Sequence, residues 1–480
     1  MNNFLVYNLL VDTVQKYPEH IAIHEESGSM TYRELFDEVE KLKNQLLEKD
    51  IQPGMGVGVM ARNSSHFIVT VFAVLGCGAG VMPVSHQLKL PEIIEIIDVA
   101  KLNAIIDDQS GIEPPVNSQS FFQVKNTKLR FGFSKVAKDE IFAPHVDAPA
   151  FIRFTSGTTG LSKGVVIGNQ SVLERISAAN KSLELNEKSN VVWVLPMAYH
   201  FVVSIVLYVK SGCAITIVPS FLAKNVIEMS NKYSGTMLYA SPMQIRLLSA
   251  DRGGGQLDSL QKIISTSSGI TAEVSRAFKK RFNKTVHQAF GIIEVGLPII
   301  NTEQSTESLD AVGFALPDYE VEVLNEQNEI LPRNTIGKLA IKGPGMFDAY
   351  LEPVILREEI LVNGFFLSND YAEIDDRGMI RIKGRGKSMI NVSGNKVFAE
   401  EVEAVLESFP GIVKALVKGV PHPLMGQIIQ AEVVLSENVK IDVEEVLTYC
   451  RKQLSTFKIP QRLLTVNELK MTKTGKVLRS

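Results

Sequence analysis

The chain has 480 residues, 45% of them hydrophobic, with 50 basic and 53 acidic side chains. This length allows several domains with buried cores, and the near-balanced charge without a basic stripe argues against a nucleic-acid partner. Three cysteines, Cys77, Cys213 and Cys450, lack metal-binding or redox spacing, so we expect buried, reduced thiols. The N-terminus has no basic segment with a cleavage site, and glycines with Pro83 interrupt the charge-free run 67–84. We therefore expect a cytoplasmic protein without membrane insertion.

The first third of the chain alternates helical and strand patterns. Thr31 and Glu34 have the form of an N-terminal capping box, and apolar residues recur at helical spacing over 35–46. Apolar strand segments lie at 57–60, 80–84 and 104–107. Their alternation with helical stretches predicts βαβ units and a mainly parallel sheet. Residues 108–148 are polar, and we expect them to be irregular.

The same alternation continues after residue 168. A helix is predicted from residue 169 to 180, and buried strands are predicted at 191–196, 214–218, 237–240 and 263–266. From about 310 to 385 short strands separated by glycine-containing turns indicate a small β-barrel. Helices near 399–408 and 441–454, with strands between them, predict a small α+β domain at the end of the chain. The fold class is therefore α/β with an additional α+β domain.

The segment 154–164 combines small hydroxyl residues, glycines and one lysine between two apolar runs. Glycines let backbone N–H groups turn towards an anion, while the hydroxyls and Lys163 add donors and a positive charge. Together they predict a phosphate cradle. The spacing differs from the Walker pattern, because no glycine-lysine-serine/threonine triplet closes it. A flexible turn between strands is the alternative interpretation of such a composition.

Two further segments carry candidate ligand-binding side chains. In 287–294, Phe290 follows an apolar strand and could present its ring to a flat base, while Glu294 could hold Mg²⁺ against phosphates. A core phenylalanine and a solvated glutamate are the alternative. In 363–370, Asp370 could accept hydrogen bonds from both hydroxyls of a ribose. The alternative there is an exposed aspartate in a turn.

These segments, in this order, resemble the adenylate-forming superfamily, which includes acyl- and aryl-CoA synthetases, adenylation domains of peptide synthetases and firefly luciferase. The resemblance covers essentially the whole chain through the segments 154–164, 287–294, 363–370, 383–397 and 472–479. It implies a large N-terminal domain, 1–386, of mainly parallel αβ-layered subdomains plus the β-barrel. A small mobile C-terminal domain, 387–480, would follow.

The resemblance also implies the roles of individual residues. The pyrophosphate would be held by Thr155, Ser156, Gly157, Thr158, Thr159 and Lys163. The residues around the purine, the α-phosphate and the wall of the acyl site would be Gly269, Gln288, Ala289, Phe290, Gly291 and Ile293. Among these, Phe290 would stack on adenine and Gln288 would lie near the purine edge. Glu294 would bind Mg²⁺.

The remaining implied residues belong to the ribose, the acid and the thiol. Asp370 would contact the ribose, and Arg385 the ribose or a phosphate. Lys476 would bridge the carboxylate and the nucleotide. Lys387 would be the hinge, and Gly394 would belong to the loop near the pantetheine arm of the thiol. His200 would gate the carboxylate. A structural histidine is the equal alternative for His200.

One position departs from the family pattern in a way that concerns catalysis. The family usually has a threonine that donates to the α-phosphate where this chain has Ile293. Isoleucine has no donor, and the loss of one hydrogen bond to a charged acceptor costs roughly 1.5–3 kcal/mol. Ser368 and Asn369 likewise replace a threonine and a glycine. The fold is unaffected, and we expect lower catalytic efficiency unless another group supplies the donor.

The resemblance implies an AMP-forming carboxylate–thiol ligase. It would use ATP and Mg²⁺ to convert a carboxylic acid, with a fatty or aryl tail, to an acyl-adenylate, and transfer the acyl group to CoA. One alternative is a stand-alone enzyme that loads an acyl or amino acid onto the phosphopantetheine of an acyl or peptidyl carrier protein. Another is a nucleotide-binding homologue with lost or weak turnover. The sequence leaves the acid, the thiol acceptor and a homodimeric state open.

Overall fold

The computed structural model describes residues 6–154, 164–301, 311–392, 395–422, 426–437 and 439–469. Contacts divide the chain into two compact units. The first comprises Met1–Glu320 and Lys342–Phe366, and the second comprises Val321–Ile341 and Leu367–Ser480. The domain boundary expected between residues 386 and 387 stays a prediction.

The first unit contains two large mixed sheets. In spatial order, the described strands of one sheet are Phe314–Ala315, Gly296–Asn301, His287–Ile292, Lys262–Ser265, Met237–Ala240, Asn190–Trp193, Ala214–Ile217, Ile21–Glu25 and Gly28–Thr31. Those of the other are Val354–Leu356, Ala349–Leu351, Gly164–Gly168, Pro149–Phe154, Gly80–Val84, Gly56–Met60, Ala104–Asp107, Thr127–Phe133 and Asn117–Val124. The central strands of both sheets pair in parallel and the outer strands are antiparallel, which confirms the predicted α/β class.

Helices connect the parallel strands, as βαβ units require. The described helices of the first unit are Val6–Lys16, Tyr32–Glu48, Ser65–Gly76, Leu90–Ala100, Asn169–Leu183, Met197–His200, Ile205–Lys210, Ala223–Lys232, Pro242–Ala250, Ala272–Phe282 and Arg357–Ile360. The capping box predicted at Thr31 and Glu34 is present at the start of Tyr32–Glu48. Among the described residues, no helix is both long and apolar enough to cross a bilayer.

Glycines let a phenylalanine pack directly on the central strands of the second sheet. Gly56 and Gly80 face each other on neighbouring strands. A Cβ atom at either position would lie 2.1–2.2 Å from ring carbons of Phe142, whose side chain is fully buried. Backbone and ring can therefore approach closely only because both residues lack a side chain.

The prediction that 108–148 is irregular was wrong in part. Asn117–Val124 and Thr127–Phe133 form an antiparallel hairpin that extends the edge of the second sheet. Its buried face carries Phe122 and Phe131, whose ring centroids are 5.5 Å apart. Leu129, Phe131 and Phe133 alternate on the second strand and are its sequence signal. On the first strand exposed Phe121 adjoins buried Phe122, and Arg130 on the second strand is buried, so the polar residues do not mark a purely solvent-facing side.

The second unit contains two further sheets. The described strands of the first are Glu320–Leu324, Ile336–Lys342, Phe366–Ile374 and Ile380–Arg385, in the region where a β-barrel was predicted. The other consists of Asn395–Phe398, Met389–Val392, Gly426–Leu435, Ile412–His422 and Arg462–Thr465. The helices Ala399–Glu407 and Val443–Gln453 pack with it around a shared apolar core, which confirms the predicted α+β domain.

Candidate active site

The topology of the first sheet brings several predicted site residues to one edge. The strands Asn190–Trp193, Met237–Ala240, Lys262–Ser265 and His287–Ile292 are parallel neighbours. His200, Gly269 and Glu294 follow the carboxyl ends of three of these strands, and Phe290 lies near the end of one. In open α/β sheets, ligands bind in the crevice outside the carboxyl ends of the strands.

The residues that flank the predicted phosphate loop lie at the corresponding edge of the second sheet. The strand Pro149–Phe154 runs parallel to Gly80–Val84, and its last residue, Phe154, pairs with Gly164 on the returning strand. The segment between these two residues is the predicted phosphate loop. Its candidate residues Thr155, Ser156, Gly157, Thr158, Thr159 and Lys163 lie outside the described residues.

Hydrogen bonds join the carboxyl edges of the two sheets. Asn63, which follows the strand Gly56–Met60, donates from Nδ2 to the carbonyl of Leu195 at 2.7 Å. Its Oδ1 accepts from the backbone N–H of Met197 at 2.8 Å. Arg153, on the strand that leads to the phosphate loop, donates from Nη1 to the carbonyl of Tyr199. The segment after Trp193 is thereby fixed beside the strand ends of the second sheet.

Glu294 occupies a partly buried position at this edge. Its Oε1 accepts a hydrogen bond from the hydroxyl of Tyr350 at 3.2 Å, and its carbonyl accepts from the N–H of Phe347 at 2.6 Å. Burial raises the pKa of the Glu294 carboxyl above its ordinary value of 4.5, although the positive charges of Arg153 and Arg175 oppose this shift. A carboxylate with a raised pKa beside one buried and one partly buried cation is typical of a functional site.

Arg175 holds the main chain around Glu294. This arginine is fully buried on the helix Asn169–Leu183 and donates from Nη1 to the carbonyl of Ile293 at 3.0 Å. Its Nε donates to the carbonyl of Gly345 at 2.8 Å. The neighbouring Glu174 accepts from the N–H of Gly345 at 3.0 Å. The helix that follows the phosphate loop thus fixes the segment that carries Glu294.

The predicted purine residues lie on the strand His287–Ile292. Gln288 is buried, and its amide accepts from the N–H of Ile270 at 3.3 Å and donates to the carbonyl of Ala311 at 3.1 Å. Ala289 is buried too, whereas Phe290 is only partly buried. A Cβ atom at Gly291 would lie 2.5 Å from the carbonyl oxygen of Gly296, so the tight hairpin requires this glycine. The assignment of these residues to the nucleotide stays a prediction.

His200 and Tyr199 lie in the short helix Met197–His200. The His200 ring meets the ring of buried Trp193 at 68°, with the ring centroids 6.3 Å apart. The neighbouring Tyr199, which the sequence had not singled out, lies under the guanidinium of Arg153. The gating role of His200 stays a prediction. Among the described residues, no atom lies within 4 Å of the position that a Cβ of Gly269 would take.

Within the second unit, Asp370 and Arg385 are direct partners. They oppose each other on the antiparallel strands Phe366–Ile374 and Ile380–Arg385, and Arg385 Nε lies 3.4 Å from Asp370 Oδ1. Burial raises the pKa of the Asp370 carboxyl above 3.8, while the charge of Arg385 opposes the shift. Lys387 lies in the 3₁₀ turn Gly386–Ser388 that follows. Gly394 and Lys476 lie outside the described residues.

Sequence reasoning missed the residues that surround Glu294. Arg153 interrupts an otherwise apolar strand, and Arg175 lies on the buried face of its helix, between Val172 and Ala179. A charged residue at a core position of an apolar pattern is the signal that could have identified both. Tyr350 carried no such signal.

The described residues contain no group of three or more His, Cys, Asp or Glu side chains placed to hold a metal ion. This arrangement is compatible with Mg²⁺, which is usually bound by one or two carboxylates together with phosphate oxygens and water. Glu294 is partly buried and accepts a hydrogen bond from Tyr350, so it fits the part of such a carboxylate.

A family model for AMP-binding enzymes matches residues 10–351, and a model for the C-terminal domain of AMP-binding enzymes matches residues 401–476. The chain belongs to the AMP-binding enzyme family. It is an adenylate-forming enzyme of the acid–thiol ligase class, which confirms the class of enzyme inferred from the sequence.

Proteins similar to this AMP-binding enzyme include two curated ligases. A fatty acid–[acyl-carrier-protein] ligase, ScoC of Streptomyces coeruleorubidus, is 25% identical over 98% of this chain and 95% of its own length. An oxalate–CoA ligase of Arabidopsis thaliana is 24% identical over 100% of this chain and 98% of its own length. The crystal structure of ATP-bound MatB from Rhodopseudomonas palustris covers 99% of this chain and 97% of its own, with a TM-score of 0.85 and 23% identity. The fold of the AMP-binding enzymes therefore extends over the whole chain.

Proposed function

We propose that this enzyme activates a carboxylic acid with a fatty or aryl tail, using MgATP, and transfers the acyl group to CoA. The observation that carries the proposal is the environment of Glu294. This carboxylate lies partly buried where parallel strands end, is held by Tyr350, and lies in the fields of Arg153 and Arg175. Such a site suits the binding of a polyphosphate with its metal ion.

In the first half-reaction, a carboxylate oxygen of the acid would attack the α-phosphorus of ATP. A new P–O bond forms, the bond to the pyrophosphate leaving group breaks, and acyl-adenylate and pyrophosphate result. No covalent enzyme intermediate is needed, so the protein acts by positioning and charge stabilisation. Lys476 would orient the carboxylate, and the loop 155–163 would hold the pyrophosphate. Bound at Glu294, Mg²⁺ would supply neutralising charge to the phosphates.

In the second half-reaction, the thiol would attack the acyl carbonyl of the adenylate and release AMP. We assign Lys387 to the hinge about which the C-terminal domain would turn between the two half-reactions. We assign Gly394 to the loop near the pantetheine arm. The Asp370–Arg385 pair would hold the ribose, because the carboxylate can accept from both hydroxyls. The 3.4 Å contact between these two side chains supports a shared role.

An apolar tail on the acid is supported by aromatic side chains at the carboxyl ends of two strands of the first sheet and on the helix Ile205–Lys210. The Trp193 ring lies 6.4 Å from that of Tyr239 and 5.9 Å from that of Tyr208, measured between centroids. These rings, together with the apolar segments 197–207 and 237–248, suit a hydrocarbon or aryl group. The similarity to ScoC, named as a fatty acid ligase, supports the same class of acid.

A carrier-protein phosphopantetheine is the second candidate acceptor. It is favoured by the name of ScoC, whose acceptor is an acyl carrier protein. The thiol group is chemically the same as in CoA, and the acceptors differ in what lies beyond the pantetheine arm. The two candidates therefore predict the same first half-reaction and different second ones.

The deciding experiment measures pyrophosphate release from ATP across a panel of fatty, aryl, dicarboxylic and amino acids. Each reaction is run with CoA, with phosphopantetheinylated carrier protein, and without a thiol. We expect release with fatty or aryl acids and thioester formation with CoA. Thioester only with the carrier protein would favour the alternative acceptor. ATP binding without pyrophosphate release for any acid would contradict the proposal and favour a homologue without turnover.

The raised pKa of Glu294 predicts a pH dependence of metal–nucleotide binding. Because burial favours the protonated form, the carboxylate is lost on acidification at a pH above the ordinary 4.5. MgATP affinity should therefore decline in mildly acidic solution, with an apparent pKa above that value, as calorimetry between pH 5 and 8 would show. In Glu294→Gln the affinity should be lower and this pH dependence absent. The same decline in the variant would mean that another group titrates.

The raised pKa of Glu294 also predicts how the stability of the fold depends on pH. Here acidification is favourable, whereas it weakens MgATP binding. A carboxyl whose pKa is raised by folding stabilises the fold while it is protonated, and this contribution is lost as pH rises from 4.5 through the folded pKa. Without nucleotide, Glu294→Gln should therefore gain stability relative to the parent enzyme as the pH rises through this range.

A further inference from the structure

Arg153 is a cation whose direct contacts among the described residues are with neutral groups. Its side chain lies on the strand Pro149–Phe154, two residues before the phosphate loop. Nη1 donates to the carbonyl of Tyr199, and the guanidinium carbon lies 5.3 Å from the centroid of the Tyr199 ring. Nε is buried and has no hydrogen-bond partner among the residues that the structure describes.

Burial of this guanidinium is unfavourable unless an anion compensates it. Burial lowers the pKa of Arg153 to about 10, so it still carries its charge at neutral pH. The field of Glu294 acts on it, but within the described part of the chain no carboxylate oxygen lies within 4.0 Å of its nitrogens. A cation–π contact and one carbonyl compensate a desolvated cation only in part.

A buried arginine of the same sheet, Arg130, shows the ordinary solution, whereas Arg153 is partly buried with its Nε atom out of contact with solvent. Arg130 donates from Nε and Nη2 to both carboxylate oxygens of Asp107, at 2.9 and 3.1 Å. Its Nη1 also lies 3.0 Å from Glu113. Arg130 therefore has built-in anions, whereas Arg153 lies at the strand end beside the candidate active site. Arg175 likewise has carbonyl acceptors and no carboxylate oxygen within 4.0 Å among the described residues, so the lack of a built-in anion is not by itself the signal. What distinguishes Arg153 is its place at the end of the strand Pro149–Phe154, directly before the phosphate loop, where a bound ligand can supply the anion.

Two features favour a phosphate of the nucleotide as this anion. First, Arg153 lies two residues before the predicted phosphate loop. Second, it lies in the electrostatic field of Glu294. The residue before Glu294 is Ile293, which stands where the family usually has a threonine that donates to the α-phosphate. The main chain of Ile293 is fixed by Arg175 through its carbonyl at 3.0 Å. A guanidinium presents several donors in a plane that suits phosphate oxygens.

We propose that Arg153 donates to the α-phosphate of the nucleotide and thereby replaces the donor that Ile293 cannot provide. This inference rests on the proposed adenylate-forming reaction. It makes Arg153 a ligand-binding residue of this enzyme, and it explains why the chain tolerates an apolar residue at position 293.

The test compares the binding of AMP and adenosine by calorimetry, since the two ligands differ only in the phosphate. Variants are Arg153→Met and Arg153→Lys, with Arg33→Met as the control because Arg33 is an exposed arginine paired with Glu19. Loss of a hydrogen bond to a charged group should weaken AMP binding about 10-fold or more in Arg153→Met. Adenosine binding should be unchanged. The AMP affinity of Arg153→Lys should lie between those of the parent enzyme and Arg153→Met.

A rescue experiment addresses the link to Ile293. Ile293→Thr alone should keep or improve acid-dependent pyrophosphate exchange, and in the Arg153→Met background it should restore part of the lost AMP affinity. An unchanged ratio of AMP to adenosine affinity in Arg153→Met would overturn the proposal. So would a variant whose only defect is a raised KM for acids with a second carboxylate, because Arg153 would then bind the acid.

The outcome is independent of which acid the enzyme uses. If the parent enzyme bound AMP but released no pyrophosphate with any acid, the proposed function would fail while the phosphate contact of Arg153 could still be measured. If pyrophosphate release were normal and the AMP to adenosine ratio did not respond to Arg153→Met, only the present inference would fail.

Discussion

Lys476→Ala is expected to lower acid-dependent ATP–pyrophosphate exchange by about 100-fold or more, a typical effect of removing one preorganised charge from a reaction centre. Thioester formation from preformed acyl-adenylate should remain close to that of the parent enzyme. The reason is that the lysine would stabilise charge only while the carboxylate attacks the α-phosphorus. Once the adenylate exists, attack by the thiol does not require it.

The control for this experiment is Lys473→Ala, in the same C-terminal segment and with the same loss of charge. If general attraction of the anionic nucleotide were the cause, both variants would lose exchange to a similar degree. Equal loss of both half-reactions in Lys476→Ala would show that the lysine serves more than the first step.

Arg175→Met is expected to destabilise the first unit by about 3 kcal/mol, because it leaves one buried and one partly buried carbonyl without their donor. These are the carbonyls of Ile293 and Gly345, which accept from Arg175 at 3.0 and 2.8 Å. Methionine matches much of the volume, so the loss would reflect hydrogen bonds more than a cavity. Because the segment carrying Glu294 would also be released, MgATP affinity should fall.

The chain offers a local probe for this measurement. Trp193 is the single tryptophan of the sequence and is fully buried in the first unit. Urea unfolding followed by its fluorescence therefore reports the unit that contains Arg175. Arg276→Met, an exposed substitution on the helix Ala272–Phe282, is the control and should shift the midpoint little. A similarly small shift in Arg175→Met would mean that water replaces the lost donor.

Much of the local structure could be predicted because its causes are local. The capping box at Thr31, the break between the helix Ser65–Gly76 and the strand Gly80–Val84, and the C-terminal helices all follow from spacing and glycines. The hairpin over 117–133 was missed because polar residues on its outer face obscured a short alternation. Its strands are stabilised by pairing at a sheet edge, which a local pattern does not show.

The sequence by itself determined the class of chemistry, since the ordered motifs around Lys163, Phe290, Glu294, Asp370 and Lys476 define an adenylate-forming enzyme. It also marked Ile293 as a departure. Only the tertiary structure decided how Glu294 is surrounded, with Arg175 contacting a carbonyl 118 residues away in the chain. The reason is physical: burial and charge compensation depend on side chains brought together by the two sheets, and no spacing along the chain encodes them.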